Sequence, residues 1–354
     1  MTGLFDAVFS RGRAAEAVSG RAWLDAMLRT EAALARAAGE TGAVDEASAA
    51  AVADAAANGR FDLADVAASA AGIGNPVAGV VDRLRELVPE EHHEAVHWGA
   101  TSQDVLDTAM MLVAKDAVGA ILEDLAGCDK ALELVESRSQ GKLIGRTLLQ
   151  RAEPLSARDR AIAWRAGLWQ PMNLLAALEF SSSYGGPVGA HWALEADTGF
   201  ADVQRLMSEE LGLQYRLDWH TDRSPVVRIG AAAAEAAGAC AKVAVDVILL
   251  SQNEIGEVSE GRPGGSTSMP HKRNPVAATC ARACAARTPG LVATLYAAMP
   301  QELQRSPGLW HSEWETLSDL LRLTGSAAAW LRECLEGLEF HPEAMERNLR
   351  EADG

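Results

Sequence analysis

The segment GGSTSMPHKRNP, Gly264 to Pro275, brings hydroxyls, cations and a loose backbone together in one short run. Gly264 and Gly265 free the chain, Ser266, Thr267 and Ser268 offer hydroxyls, and Lys272 and Asn274 can hold an oxyanion. Such a loop suits a reaction that builds negative charge on a carboxylate. It lacks the GxxxxGK(S/T) spacing of a phosphate-cradling loop, and it misses SxxK, because Ser268 stands four residues and Ser266 six residues before Lys272. The competing reading is a solvated basic surface loop. Yet His271, Lys272 and Arg273 stand together in a chain of formal net charge -17, so any anionic ligand has to be met locally.

Two other short patterns are weaker. His93-Glu94-Ala95-Val96-His97 is a literal HExxH, which on a helix would set two imidazoles on one face for zinc. Trp98-Gly99 ends any helix directly after the second histidine and no third ligand follows at a suitable spacing, so no metal site is expected. Gly72-Ile73-Gly74-Asn75-Pro76 lacks a preceding strand and the third glycine of a dinucleotide turn, and is set aside. The five cysteines, Cys128, Cys240, Cys280, Cys284 and Cys334, form no CxxC and no paired framework, which fits a reducing compartment.

The elements that must position the Gly264–Pro275 loop read as helices. Hydrophobic residues make up 48% of the 354-residue chain, charged residues 23% and aromatics 5%, ordinary for a soluble globular protein. The acidic balance argues against nucleic acid and anionic membrane as partners. With no leader-like N-terminus and no long uncharged apolar window, a cytoplasmic protein is expected. Alternating strand-like runs are almost absent, so the expected fold is all-α. Leu106, Met110, Val113, Ala117, Ile121, Leu125, Cys128, Leu132 and Val135 recur at three or four between Asp104 and Ser139, the buried stripe of one long helix. A second long helix is expected over Val226–Gly261, with Val243, Val247, Leu250 and Glu254 on one face, and a third over Leu309–Leu338. Helices of about 30 residues span about 45 Å, which suggests a bundle shared between chains. HWGATSQD (97–104), GRTLLQRAEP (145–154) and SSSYGGPVGAHW (181–192) read as loops of functional appearance.

GSTSMPHKRNP resembles the GSSxMPxKxNP signature of the fumarase/aspartase superfamily, and HWGATSQDVLDTA resembles its HxGxTSxDxxDTA segment. GRTLLQRAEP looks like the third signature region. The N-terminal LFDAVFSRGRAAEAVSGRAWLDAMLRTEAALARAAGETG, WHTDR (219–223) and QRSPGLWHSEW (304–314) are similar to the bacterial 3-carboxy-cis,cis-muconate cycloisomerase family. The resemblance covers almost the whole chain. It implies a helical N-terminal domain over 1–103, a central long-helix bundle over 104–340 that forms a multi-helix core in a homotetramer, and a start or remnant of a mostly absent C-terminal domain over 341–354. It also implies active sites shared between subunits and no cofactor.

By position in the signature, Ser266 matches the serine that moves the proton at the α-carbon, while Lys272 and Asn274 match the groups that stabilise the resulting dianion. A serine hydroxyl is too weakly acidic for this alone, so the cation and the loop's backbone N–H groups must stabilise its alkoxide. Thr101, Ser102, Gln103, Arg146, Thr147, Gln150, Thr267, Ser268, Met269, His271 and Arg305 fall at positions implied to bind a small tricarboxylate substrate. The resemblance implies interconversion of 3-carboxy-cis,cis-muconate and 4-carboxymuconolactone, with an adenylosuccinate-type lyase as the alternative. Adenylosuccinate lyases usually read GRTH where this chain has Leu148, and Asn75 loosely takes the place of a second histidine. An amine needs a proton to leave, whereas a carboxylate of low pKa does not. Whether Trp98, Trp192, Trp219, Trp310, His191 and His220 line the pocket or the core stays open at this level, packing being the commoner role of large aromatics.

Overall fold

Thr101 caps the helix that organises the molecule. Its side chain accepts the Asp104 backbone N–H while the Asp104 carboxylate accepts the Thr101 N–H, a reciprocal capping box that opens the Ser102–Arg138 helix. The expected stripe from Leu106 to Val135 is buried along its whole length. From Gln103 to Ala114 every residue is buried, so this half runs through the centre of the bundle rather than along its edge. The computed structural model of the protein describes residues 3–191, 199–266 and 268–352. It is 67% helical, with four short strands among the described residues, in keeping with the all-α expectation.

The Leu309–Glu336 helix packs along Ser102–Arg138 and also against Ser224–Leu250 and Val276–Ala285, while Ala157–Ala176 closes the other side. Small residues permit the close approach. A Cβ on Gly325 would lie 2.2 Å from the Ala14 Cβ, so only glycine lets the N-terminal segment seat there. In the N-terminal part, Gly20–Glu40 packs on Glu46–Asn58 and on Phe200–Leu211. No helix among the described residues is long and apolar enough to cross a membrane.

Two expectations are corrected. The second long helix begins at Ser224, with Pro225 in its first turn where no N–H is needed, and it stops at Leu250 rather than Gly261. Gly256 takes a left-handed conformation and Glu257 N–H returns to the Leu250 carbonyl, so Glu254 is exposed and off the helix. Val258–Ser259 then pairs with Glu339–Phe340. The 145–154 stretch is not a loop but most of a hairpin, Lys142–Thr147 against Gln150–Ser156. Its two-residue turn is Leu148-Leu149, both at positive φ (50° and 63°) where a turn of this kind normally takes Asn-Gly.

The remaining motifs resolve as structure. His93 Nε2 lies 3.2 Å from the Val88 carbonyl, and His97 Nδ1 lies 2.6 Å from the buried Glu31, so the HExxH imidazoles face different partners. Asn75 Oδ1 accepts the Val77 N–H in the turn that leads into the next helix. All five cysteines are free, and burial pushes the Cys240 and Cys284 thiols up to about 12.

Candidate active site

The 264–275 loop is tied at its neck and open beyond it. Gly264 and Asn274 exchange two backbone hydrogen bonds of 2.8 Å, and Asn274 Nδ2 donates to the Gly265 carbonyl at 3.1 Å. Below the neck, buried Glu260 accepts the N–H groups of Ala277 and Ala278 and so caps the Val276–Ala285 helix that follows. Inside the loop, Ser266 Oγ accepts backbone N–H groups from Ser268 at 3.4 Å and Met269 at 3.2 Å. Two amide dipoles aimed at one hydroxyl oxygen favour its alkoxide, the state a proton-transferring serine needs. Ser268, Met269, His271, Lys272 and Arg273 are exposed, and neither Lys272 nor Arg273 forms an ion pair among the described residues. Lys272 and Arg273 line two adjoining cavities of about 610 and 430 Å³, the second bounded also by Met269, His271, Ser259, Glu260 and His341. Thr267 lies outside the described residues, as does Trp192.

The 101–103 segment is built differently. Arg305 donates from Nη2 to Thr101 Oγ1 at 2.7 Å and from Nε to Gln103 Oε1 at 3.1 Å, which brings three of the expected site residues together, with Ser102 beside them. Behind them lies a buried polar cluster that the sequence reading did not find. Asp104 accepts from the backbone N–H groups of Thr101, Gly185 and Gly186, from Ser183 Oγ and from His220 Nε2 at 2.7 Å. Burial alone would pull the His220 imidazole down, but its hydrogen bond and charge contact with Asp104 outweigh this and hold it above its usual value. Burial alone would likewise raise Asp104, yet the His220 contact and the amide donors hold it below the usual carboxylate range. The 181–191 stretch therefore works as a clamp on the helix N-terminus and is buried from Ser181 to Gly186, not displayed as a functional loop.

Arg223 completes this cluster. It is fully buried between Asp107 and Glu313, with bonds of 2.8 and 3.1 Å to the first and 2.6 to 3.1 Å to the second. One cation for two carboxylates leaves negative charge in a dry site, and burial pushes Glu313 up to about 7 despite the arginine. Trp310 Nε1 donates to Asp107 at 3.0 Å and Trp219 Nε1 to the Ser182 carbonyl at 2.9 Å, so both tryptophans belong to the core, and His220 with them. Trp98 is half-buried and lies 5.0 Å from the Phe200 ring. Asp104, Asp218 and His220 place potential ligand atoms within 4.8 Å of one another, but the Asp104 oxygens already accept five hydrogen bonds, the arrangement of an ion pair rather than a metal cradle.

Two residues expected to touch substrate face the protein instead. Gln103 is fully buried with both ends of its amide engaged, and Arg146 is paired bidentately with buried Glu257 at 2.9 and 3.1 Å. Thr147 and Gln150 sit opposite each other across the exposed hairpin turn, where Leu148 is 97% and Leu149 70% exposed. No hydrogen bond among the described residues joins the hairpin turn, the Arg305 cluster and the Ser266 loop within one chain.

A family model described as "Lyase" matches residues 10–290. The nitrosuccinate lyase of Streptomyces davaonensis is 41% identical over 350 residues, 94% of this chain and 74% of that protein. The 3-carboxy-cis,cis-muconate cycloisomerase of Pseudomonas putida is 38% identical over 98% of this chain and 84% of its own length, one of several such enzymes at 35–38% identity. The crystal structure of the 3-carboxy-cis,cis-muconate lactonizing enzyme from Pseudomonas putida superposes with a TM-score of 0.91 at 37% identity, over 98% of this chain and 79% of that one. The chain therefore belongs to the lyase family of the fumarase/aspartase superfamily.

Proposed function

We propose that the protein is an isomerase that interconverts 3-carboxy-cis,cis-muconate and 4-carboxymuconolactone. In the lactonising direction one substrate carboxylate attacks the conjugated double bond and the electron pair moves into the distant carboxylate, forming an aci-carboxylate dianion. Lys272 stabilises that charge, and Ser266 delivers a proton to the α-carbon, its alkoxide being received by the Ser268 and Met269 N–H groups. Asn274 shapes the loop through Gly265. Arg305 with Thr101 and Ser102, and Thr147 with Gln150, hold the remaining carboxylates. Ser268, Met269, Thr267 and His271 line the same end of the substrate. The observation that carries the reading is the likeness to the cycloisomerases, which runs through 98% of the chain.

With no hydrogen bond among the described residues joining the three groups within one chain, the site is completed by neighbouring subunits of a homotetramer, with 1–103 and 104–340 as its N-terminal and central domains. No cofactor, nucleic acid or membrane takes part, and the enzyme works in the cytoplasm. The exposed tip leucines and the long helices support assembly.

A second reading is favoured by the 41% identity to a nitrosuccinate lyase. Nitrite, like a carboxylate, leaves without being protonated, so Leu148 in place of an acid suits both reactions and disfavours an adenylosuccinate-type lyase. Two assays on the purified protein separate them. Loss of the conjugated-diene absorbance of 3-carboxy-cis,cis-muconate without nitrite release from nitrosuccinate upholds the cycloisomerase, and the reverse pattern replaces it.

A further inference from the structure

Arg305 sits on a segment without regular structure, two residues after Leu303, which is exposed and at positive φ (50°). Its backbone therefore does little to aim its side chain, and an exposed arginine has many rotamers to choose from. What aims it is side-chain contact with Thr101 and Gln103, and of the two Gln103 is the one fixed from behind. Gln103 Nε2 donates to the His220 carbonyl at 2.8 Å and to Asp107 Oδ2 at 3.2 Å, while Oε1 accepts from Arg305 Nε. Both partners of the NH2 group are pure acceptors, so turning the amide over would set oxygen against oxygen, and only one orientation is allowed. Asp107 cannot swing away to relieve that constraint. It also accepts Arg223 Nη1 and Nη2 and Trp310 Nε1, and Arg223 is held in turn by Glu313.

We propose that Gln103 is a positioning residue, the last member of a fully buried Glu313–Arg223–Asp107 relay that holds the Arg305 guanidinium against Thr101 and leaves Nη1 available for a substrate carboxylate. This rests on the reading of Arg305 as the group that binds an anion. The relay presets the cation before substrate arrives, so its contribution falls on binding rather than on the proton transfer at Ser266.

A double-mutant cycle with Gln103→Met and Arg305→Ala tests it. In the wild-type background Gln103→Met raises KM for 3-carboxy-cis,cis-muconate about tenfold with kcat within about threefold, and in the Arg305→Ala background it raises KM less than about twofold. An equal rise in both backgrounds, or none in either, overturns the proposal. Gln103→Asn, whose amide is one methylene shorter and so drawn back from Arg305, carries the same cycle if the methionine variant does not fold. If the wild type releases nitrite from nitrosuccinate instead, the cycle is read on that substrate. If it consumes neither, the functional reading fails and the proposal is decided by a crystal structure of the Gln103 variant. Arg305 displaced from Thr101 supports it, and Arg305 still hydrogen-bonded to Thr101 overturns it.

Discussion

The start of the Ser102–Arg138 helix and the 264–275 loop hold the two halves of the proposed chemistry, and they are built in opposite ways. Behind Thr101 the charged groups Asp104, Asp107, Arg223 and Glu313 are all buried, Asp104 paired with His220 and Arg223 held between Asp107 and Glu313, so geometry is fixed by buried hydrogen-bonded contacts. Around Ser266 the fixed parts stop at the Gly264–Asn274 neck, and the cations beyond it stand in solvent. The difference separates two tasks. Anchoring a substrate carboxylate needs a cation preset in one place, whereas moving a proton at carbon needs groups that close over the substrate and exclude water. Damage to the first region should be felt first as lost stability or weakened binding, and damage to the second as lost turnover.

The sharpest break of that contrast is Arg223→Met. It strands Asp107 and Glu313 as uncompensated buried carboxylates, and a loss of about 3–5 kcal/mol in chemical denaturation is expected. Lys272→Met is the counterpart. The side chain is exposed, so stability should stay within about 0.5 kcal/mol, while kcat/KM falls by about 10²- to 10³-fold in a steady-state assay. Gly264→Ala strains the neck itself, since its Cβ would lie 2.2 Å from Val276 Cγ2, and about a tenfold loss of kcat with a stability loss of about 1 kcal/mol is expected. The smallest effect is in the pH dependence of melting. His220 binds its proton more tightly folded than unfolded, so its contribution is fully present below pH 6.5 and is lost as pH rises through its raised folded value. Tm should therefore decline with rising pH above 6.5, and His220→Gln should flatten that decline.

The two regions were unequally legible in the sequence. The Ser102–Arg138 stripe and the Ser266 loop announce themselves, the one by apolar period and the other by a dense run of donors, because both signals are local. The Asp104–His220 and Asp107–Arg223–Glu313 contacts join residues more than 85 apart, and nothing in the spacing of one partner points to the other. Gln103 illustrates the limit. Its place in GATSQD suggests a substrate contact, but on a helix its neighbour Ser102 and Gln103 itself point about 100° apart, and burial takes the glutamine inward. The hairpin was hidden for another reason. Leu148-Leu149 carries none of the Asn or Gly that marks a two-residue turn, and the end of the 224–250 helix was hidden by the absence of proline before Pro263.

The central claim is that Ser266 moves the proton, and it is tested most directly by following the diene absorbance of 3-carboxy-cis,cis-muconate with the wild type and Ser266→Ala side by side, with circular dichroism on both. The account predicts identical spectra and melting, rapid loss of absorbance with the wild type, and a rate lower by about 10²- to 10⁴-fold with the variant. Turnover by a folded Ser266→Ala protein at the wild-type rate would contradict it.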